Sequence, residues 1–93
     1  EVIDPRSFVP FDMETLMTSL AKTNRLVIVD EDWESGGFAA TLSARVMEQG
    51  FDLLDAPVTR VTMANMPVPG GYMEEYVAPN PTKIEAAIRQ VCA

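Results

Sequence analysis

Three stretches of the chain repeat apolar residues three and four positions apart, the spacing of a helix with one buried face. The first begins after Asp12, whose side chain can supply an N-cap oxygen, and ends at Thr23-Asn24. The second begins after Gly36-Gly37 and ends at Gly50. The third begins at Asn80-Pro81, residues preferred at a helix start. Its predicted apolar stripe is Ile84, Ala87, Ile88 and Val91.

Three other runs predict β-strands. Val2-Ile3 begins a short strand that Pro5 and Pro10 limit, because proline lacks the amide hydrogen that a central ladder needs. The run from Arg25 to Asp32 contains consecutive β-branched residues without alternation, so helices should cover both of its faces. The run from Val58 to Thr62 alternates apolar and polar residues, which predicts one exposed face and a place near a sheet edge.

The elements therefore alternate between strand and helix, with a proline- and glycine-rich loop from Met66 to Gly71. This order predicts an α/β fold of three layers, α/β/α, with a mostly parallel sheet and right-handed crossovers. A chain of 93 residues supports one core. Because it starts inside a predicted strand and without methionine, we expect residues 1–93 to be part of a domain from a longer protein.

Charge and cysteine content narrow the classes of partner. The formal net charge of −7 repels phosphate backbones and anionic lipid, so we expect neither a nucleic acid nor a membrane as partner. The apolar runs are also too short to cross a bilayer. Cys92 is the single cysteine, which excludes an intrachain disulfide.

The residue types of a catalytic site are mostly missing from the chain. It contains no histidine, and no serine or cysteine has a candidate base, so we predict no catalytic residue. The acidic residues from Asp30 to Glu34 invite comparison with a calcium loop, but Gly36 is one place late and Thr41 occupies the position of the bidentate glutamate. A solvated strand end is the favoured interpretation, and we predict no metal ligand.

The pair Gly36-Gly37 at a helix start could present amide hydrogens to an anion, or could allow tight packing of the helix against the sheet. No G-x-G-x-x-G or G-K-[ST] pattern accompanies it, and the nearby carboxylates would repel a phosphate. Tight packing is therefore favoured, and we predict no cofactor-binding residue.

Several motifs resemble those of the transketolase C-terminal domain family. They are Val2-Ile3-Asp4-Pro5-Arg6, Val9-Pro10-Phe11-Asp12, Lys22 to Val29, Glu31-Asp32-Trp33 and Gly36-Gly37-Phe38. The run Phe51 to Thr62, with Leu54-Asp55-Ala56-Pro57 inside it and Pro67-x-Pro69 beyond it, is similar to β subunits of pyruvate, branched-chain 2-oxo-acid and acetoin dehydrogenases. Met63 and Gly70-Gly71 depart from the pattern of those subunits, and the second departure affects the course of the loop.

This resemblance implies a role in assembly and docking. The intact parent, most closely a pyruvate dehydrogenase, would decarboxylate a 2-oxo acid on thiamine diphosphate with magnesium, at a site outside this chain. The implied partners are the α subunit, a second β subunit and the basic subunit-binding domain of the acyltransferase. Asp55 matches the position that pairs with this basic domain, and the carboxylate of Ala93 would join it where Ala93 ends the chain. The alternative role for Asp55 is a local turn cap. The cytoplasm or the mitochondrial matrix is the implied location.

Two further alternatives remain from the sequence. One is the corresponding domain of another thiamine enzyme, such as transketolase or 1-deoxyxylulose-5-phosphate synthase, and the other is a free-standing acidic binding module. The family fold further implies a five-stranded sheet in the order 1-3-2-4-5, of which the second strand is missing between Glu1–Asp4 and Arg25–Glu31. We therefore expect these two strands to pair directly or the chain to self-associate.

Overall fold

The structure is a computed structural model that describes residues 1–67 and 70–93, except for the side chains of Tyr72 and Glu75. Within these described ranges, four α-helices and two strands follow one another, with short 3₁₀ turns at Phe51–Leu53 and Gly71–Met73. The elements are α1 (Met13–Thr23), β1 (Val27–Trp33), α2 (Phe38–Gly50), β2 (Thr59–Met63), α3 (Glu74–Val77) and α4 (Pro81–Cys92). The three predicted long helices and the two later strands are thus confirmed.

The two strands form a parallel sheet joined by the α2 crossover, which confirms the predicted α/β class. Val27 is opposite Thr59 and Val29 is opposite Val61, and the register shifts between Val29 and Trp33. Both α2 and α4 contact β1 and β2. A parallel pair needs such a crossover, because its strands run in the same direction.

Two groups of buried side chains hold the layers together. The first joins α1, β1 and α2, and its members are Leu16, Leu20, Ile28, Ala39, Leu42 and Val46. The second comes from β2, α3 and α4, and its members are Val61, Met63, Val77, Ala87 and Val91. Side chains alternate along β2, so Val61 and Met63 share the face of the sheet that α4 covers.

The caps expected at two helix starts are present. The Asp12 carboxylate accepts a hydrogen bond from Thr15 N at 3.1 Å at the start of α1. The Asn80 side chain accepts one from Lys83 N at 2.9 Å at the start of α4, where Pro81 follows. Each bond satisfies one of the backbone amides that a helix leaves without an internal partner.

The predicted first strand is wrong. Residues 1–10 are irregular and exposed, and neither Glu1–Asp4 nor any other part of this segment pairs with β1 in the part of the chain that the structure describes. Instead, the Phe8 ring stacks on Phe38 of α2 with the ring centroids 4.5 Å apart. Pro5 and Pro10 remove two ladder donors, and an isolated short strand gains too little from pairing to order itself.

Three smaller expectations also need correction. Helices do not cover the whole of β1, since Val29 and Trp33 are each 47% exposed. Ile88 of the predicted α4 stripe is 48% exposed, because the helix rests on the sheet mainly through Ala87 and Val91. The predicted loop from Met66 to Gly71 gives way at Gly71 to a 3₁₀ turn and α3, while Val68-Pro69 lies outside the described residues.

Candidate docking site

Asp55 lies at the end of the sheet where both parallel strands begin, which we call the docking edge. It precedes β2 by four residues, and its backbone N donates a hydrogen bond of 2.8 Å to the carbonyl oxygen of Asn24, just before β1. Its side chain is 60% exposed. The backbone of Asp55 is therefore fixed while its carboxylate remains open to solvent.

Among the described residues, one group of opposite charge lies beside the Asp55 carboxylate. Arg25 Nη1 lies 4.0 Å from Asp55 Oδ2, and both side chains are substantially exposed. Among the residues that the structure describes, no group donates a hydrogen bond to this carboxylate. The alternative role of Asp55 as a side-chain cap of the turn before Pro57 therefore has no hydrogen bond to support it. An exposed pair at this distance contributes little to stability.

Arg25 also reaches the end of α4. Its Nε donates a hydrogen bond of 2.7 Å to the carbonyl oxygen of Val91, in the last turn of that helix. Ala93 follows α4 directly, and its backbone N donates to Gln90 O at 3.4 Å. The Arg25 side chain thus brings Asp55 and the last turn of α4, which precedes Ala93, to the same edge of the molecule.

Asn24 holds the loop that carries Asp55. It ends α1 in a left-handed conformation with φ of 63°, and its side-chain Nδ2 donates 2.8 Å to the carbonyl oxygen of Leu53. The Asn24 carbonyl oxygen accepts from Asp55 N on the other side of Leu54. Asparagine is one of the few residues besides glycine that adopt this conformation readily.

Two of the acidic residues at the end of β1 accept hydrogen bonds from the backbone. Asp30 Oδ2 accepts from Ala39 N at 3.1 Å and Asp30 Oδ1 accepts from Asp32 N at 3.2 Å. Asp32 Oδ1 accepts from Trp33 N at 2.8 Å. Within the described ranges, no group of three or more His, Cys, Asp or Glu residues is arranged to hold a metal ion. The prediction of a solvated strand end does not include these hydrogen bonds from the backbone to Asp30 and Asp32.

Gly37 packs against the end of β1. A methyl group on Gly37 would collide with the carbonyl oxygen of Trp33 and would lie 3.2 Å from Asp32 Cβ. The favoured prediction of tight packing is confirmed. A diphosphate does not fit here, because the strand end occupies the space beside Gly37 and the Asp30 carboxylate already binds the amide of Ala39.

The loops after the two strands are tied to each other. Ser35 N donates to Asn65 Oδ1 at 3.0 Å, and Arg60 Nη1 donates to the Glu34 carbonyl oxygen at 2.8 Å.

An open hollow of about 620 Å³ lies between β2 and α4, with Arg60 and Lys83 in its wall. Lys83 Nζ donates to Ala78 O at 2.9 Å, so its ammonium group is engaged by the backbone.

No described helix is long and apolar enough to span a membrane.

Comparison with known families decides where the fold belongs. Residues 1–84 match the transketolase C-terminal domain family. The chain belongs to this family. The match covers α1, the parallel pair, the α2 crossover and the first turn of α4.

Relatives of this transketolase C-terminal domain include β subunits of oxidoreductases. The chain is 47% identical over 85 residues to the β subunit of acetoin:2,6-dichlorophenolindophenol oxidoreductase of Bacillus subtilis, covering 90% of the chain and 25% of the relative. It is 42% identical over 93 residues to the chloroplastic pyruvate dehydrogenase E1 component subunit beta-2 of Arabidopsis thaliana, covering 99% and 23%. It is 49% identical over 69 residues to the mitochondrial pyruvate dehydrogenase E1 subunit beta of Dictyostelium discoideum, covering 74% and 19%.

The predicted resemblance is confirmed for the family and for the branch of its relatives. The chain spans about a quarter or less of the length of these relatives. Their names place them in chloroplasts and mitochondria as well as in bacteria. The extension of the domain from residue 84 to residue 93 stays a prediction.

Asp55 and Ala93 are predicted from the sequence, whereas the two residues that organise their surroundings are not. The sequence predicts only that Asn24 ends a helix and that Arg25 begins a strand. An asparagine directly after a predicted helix is a signal of a left-handed cap. The contact of Arg25 with Val91 spans 66 positions, and no local pattern in a single sequence reports such a contact.

Proposed function

We propose that this transketolase C-terminal domain is the assembly and docking domain of the β subunit of a thiamine-diphosphate-dependent 2-oxo-acid dehydrogenase, with pyruvate dehydrogenase as the first choice. It contributes contacts to the α subunit and to a second β subunit, and it binds the subunit-binding domain of the acyltransferase. Decarboxylation on thiamine diphosphate and magnesium takes place on other parts of the enzyme. The names of the relatives support this assignment over a transketolase or a free-standing module.

The single observation that supports docking is the state of Asp55. Its carboxylate is exposed, accepts no hydrogen bond from the described residues and has only a loose contact of 4.0 Å with Arg25. Such a carboxylate can accept charge-assisted hydrogen bonds from arginine or lysine side chains of a partner. The net charge of −7 raises the encounter rate with a basic domain. Where Ala93 ends the chain, its carboxylate adds a second negative charge beyond the last turn of α4.

Self-association of the isolated chain involves the open edge of β1. Thr59 N donates to the carbonyl oxygen of Leu26 at 3.2 Å, so the ladder alternation directs the backbone groups of Val27 and Val29 away from β2. Val29 is 47% exposed at this edge. An unpaired edge of this kind accepts another strand, and a second copy of the chain supplies one. The isolated chain therefore self-associates.

Sedimentation velocity of the 93-residue chain, mixed with a fluorescently labelled acyltransferase subunit-binding domain, tests the docking role. We expect co-sedimentation at low salt that weakens at moderate salt, because screening reduces charge attraction. Asp55→Asn should weaken binding about tenfold, the effect of losing about 1.4 kcal/mol. Asp52→Asn is the matched control. It removes the same charge, and Asp52 is also exposed, in the preceding turn.

If both variants bound the labelled domain as tightly as the unchanged chain, Asp55 would have no role in docking. If a folded chain bound no labelled domain at either salt concentration, the docking function as a whole would be wrong.

A further inference from the structure

Two adjacent residues join three separate segments at the docking edge. Asn24 binds the loop before β2 through its side chain, to Leu53 O, and through its carbonyl oxygen, from Asp55 N. Arg25 binds the last turn of α4 through the 2.7 Å bond from its Nε to Val91 O. The end of α1, the Asp55 loop and the end of α4 are thus held in one arrangement.

Arg25 lies between two groups of negative character. The last four carbonyl groups of a helix lack internal partners and form the negative end of the helix dipole, and Arg25 satisfies that of Val91. The Asp55 carboxylate lies on another side of the same guanidinium, 4.0 Å from Nη1. The planar guanidinium has five donors in a fixed fork, so it can contact both groups at once, whereas a lysine ammonium group offers no such fork.

The two contacts differ in strength. The bond to Val91 O is short and partly buried, while the contact with Asp55 is long and exposed. A cation from a partner can therefore replace Arg25 beside Asp55 without disturbing the bond that holds α4. Arg25 keeps the last turn of α4 beside Asp55 in the free protein and leaves the carboxylate available.

We propose that Arg25 is a positioning residue for docking: it sets the separation between the Asp55 carboxylate and the last turn of α4, so that a partner surface with at least two cationic side chains contacts both together. This inference rests on the proposed docking function. Asn24 supports it by fixing the backbone of Asp55 relative to Arg25.

The proposal is testable because positioning and long-range electrostatics predict opposite effects of removing Arg25. Removing a cation from an acidic docking surface should strengthen the binding of a basic partner if only long-range electrostatics matters. If Arg25 positions the surface, its removal should weaken binding, because the end of α4 is no longer held beside Asp55. Arg25→Met and Arg6→Met remove the same charge, but Arg6 is exposed in the irregular segment at residues 1–10, which takes no part in the proposed docking surface.

The experiment is isothermal titration of the 93-residue chain and its variants with the acyltransferase subunit-binding domain at two salt concentrations. We expect Arg25→Met to weaken binding about threefold to tenfold, and Arg6→Met to leave it unchanged or slightly tighter. Arg25→Lys keeps the charge and the fold but loses the fork, so it should fall between the unchanged chain and Arg25→Met. Hydrogen exchange at Val91 and Cys92 should speed up in both Arg25 variants.

Binding that is equal or tighter in Arg25→Met, in a chain for which Asp55→Asn weakens binding, would overturn the positioning role and leave the docking function intact. If Arg25→Met fails to fold, the result with Arg25→Lys decides, since binding equal to that of the unchanged chain would overturn the proposal. A chain that binds no domain at all overturns the docking function and this inference together.

Discussion

The Asp30 carboxylate caps a helix to which it does not belong. Its Oδ2 accepts a hydrogen bond of 3.1 Å from Ala39 N, in the first turn of α2, whose own N-cap residue Gly37 has no side chain to do so. Its Oδ1 at the same time accepts from Asp32 N. This partly buried carboxylate of β1 thus fixes both the course of the strand end and the start of the crossover helix.

Replacing Asp30 with alanine should destabilise the fold. Losing an N-cap acceptor costs about 1 kcal/mol, within a range of about 0.5–2 kcal/mol. Urea unfolding followed by circular dichroism measures the change, and Glu31→Ala is the control because Glu31 is exposed on the same strand. Equal unfolding midpoints for the two variants would contradict a capping role for Asp30.

Gly37 should not tolerate a side chain. A methyl group there meets the Trp33 carbonyl oxygen, and backbone cannot move aside as a flexible side chain can. We expect Gly37→Ala to cost about 1–3 kcal/mol, the usual effect of overpacking. Gly70→Ala is the control, because a methyl group at Gly70 meets none of the described residues within 4 Å and its φ of −89° suits alanine. A Gly37→Ala variant as stable as Gly70→Ala would show that the end of β1 can shift.

The open edge of β1 predicts concentration-dependent association. Val29→Lys places a charge at the centre of this edge, and charged edge residues prevent strand addition. Sedimentation velocity at increasing concentration should show a dimer for the unchanged chain and a monomer for Val29→Lys. Met47→Lys is the control, since Met47 is 50% exposed on α2 and receives the same charge away from the edge. A monomer at every concentration of the unchanged chain would contradict the proposed self-association.

The three long helices and the two later strands could be predicted because their signals are local. Asp12 and Asn80 cap the helices as their positions indicate, and the spacing of Leu16 and Leu20 identifies the buried face of α1. Val2-Ile3 has the composition of a strand, but a strand exists only where a neighbour supplies hydrogen bonds. A sequence run alone does not report whether that neighbour is present.

The docking edge was only partly predictable, for a related reason. Asp55 could be named from its resemblance to the family, whereas Arg25 acts through the carbonyl oxygen of Val91, a backbone group that every residue possesses. The acidic run at the end of β1 was open to several interpretations, because a carboxylate that binds an ion and one that caps a helix have the same sequence letter. The fold reveals the capping role by placing Asp30 within reach of Ala39 N.

The start of α1 should lose stability in acid. Hydrogen bonds from the Thr15 hydroxyl, first, and from Thr15 N hold the pKa of Asp12 below its ordinary value of 3.8. A carboxyl whose pKa is lower in the folded protein stabilises the fold above the pKa of the unfolded chain, and this stabilisation disappears as the pH falls through the folded pKa. The advantage of the unchanged chain over Asp12→Asn in urea midpoint should therefore be full at pH 6 and should shrink below pH 3.8.

Thr15→Val separates the two bonds, because it removes the hydroxyl of the 2.6 Å contact with Asp12 Oδ2 and keeps the backbone bond. The pH dependence of this variant should be intermediate, since the hydroxyl is the larger cause of the lowered pKa. Urea midpoints of the unchanged chain and Asp12→Asn that differ by the same amount at pH 6 and pH 3 would show that the charge of Asp12 does not contribute to the cap.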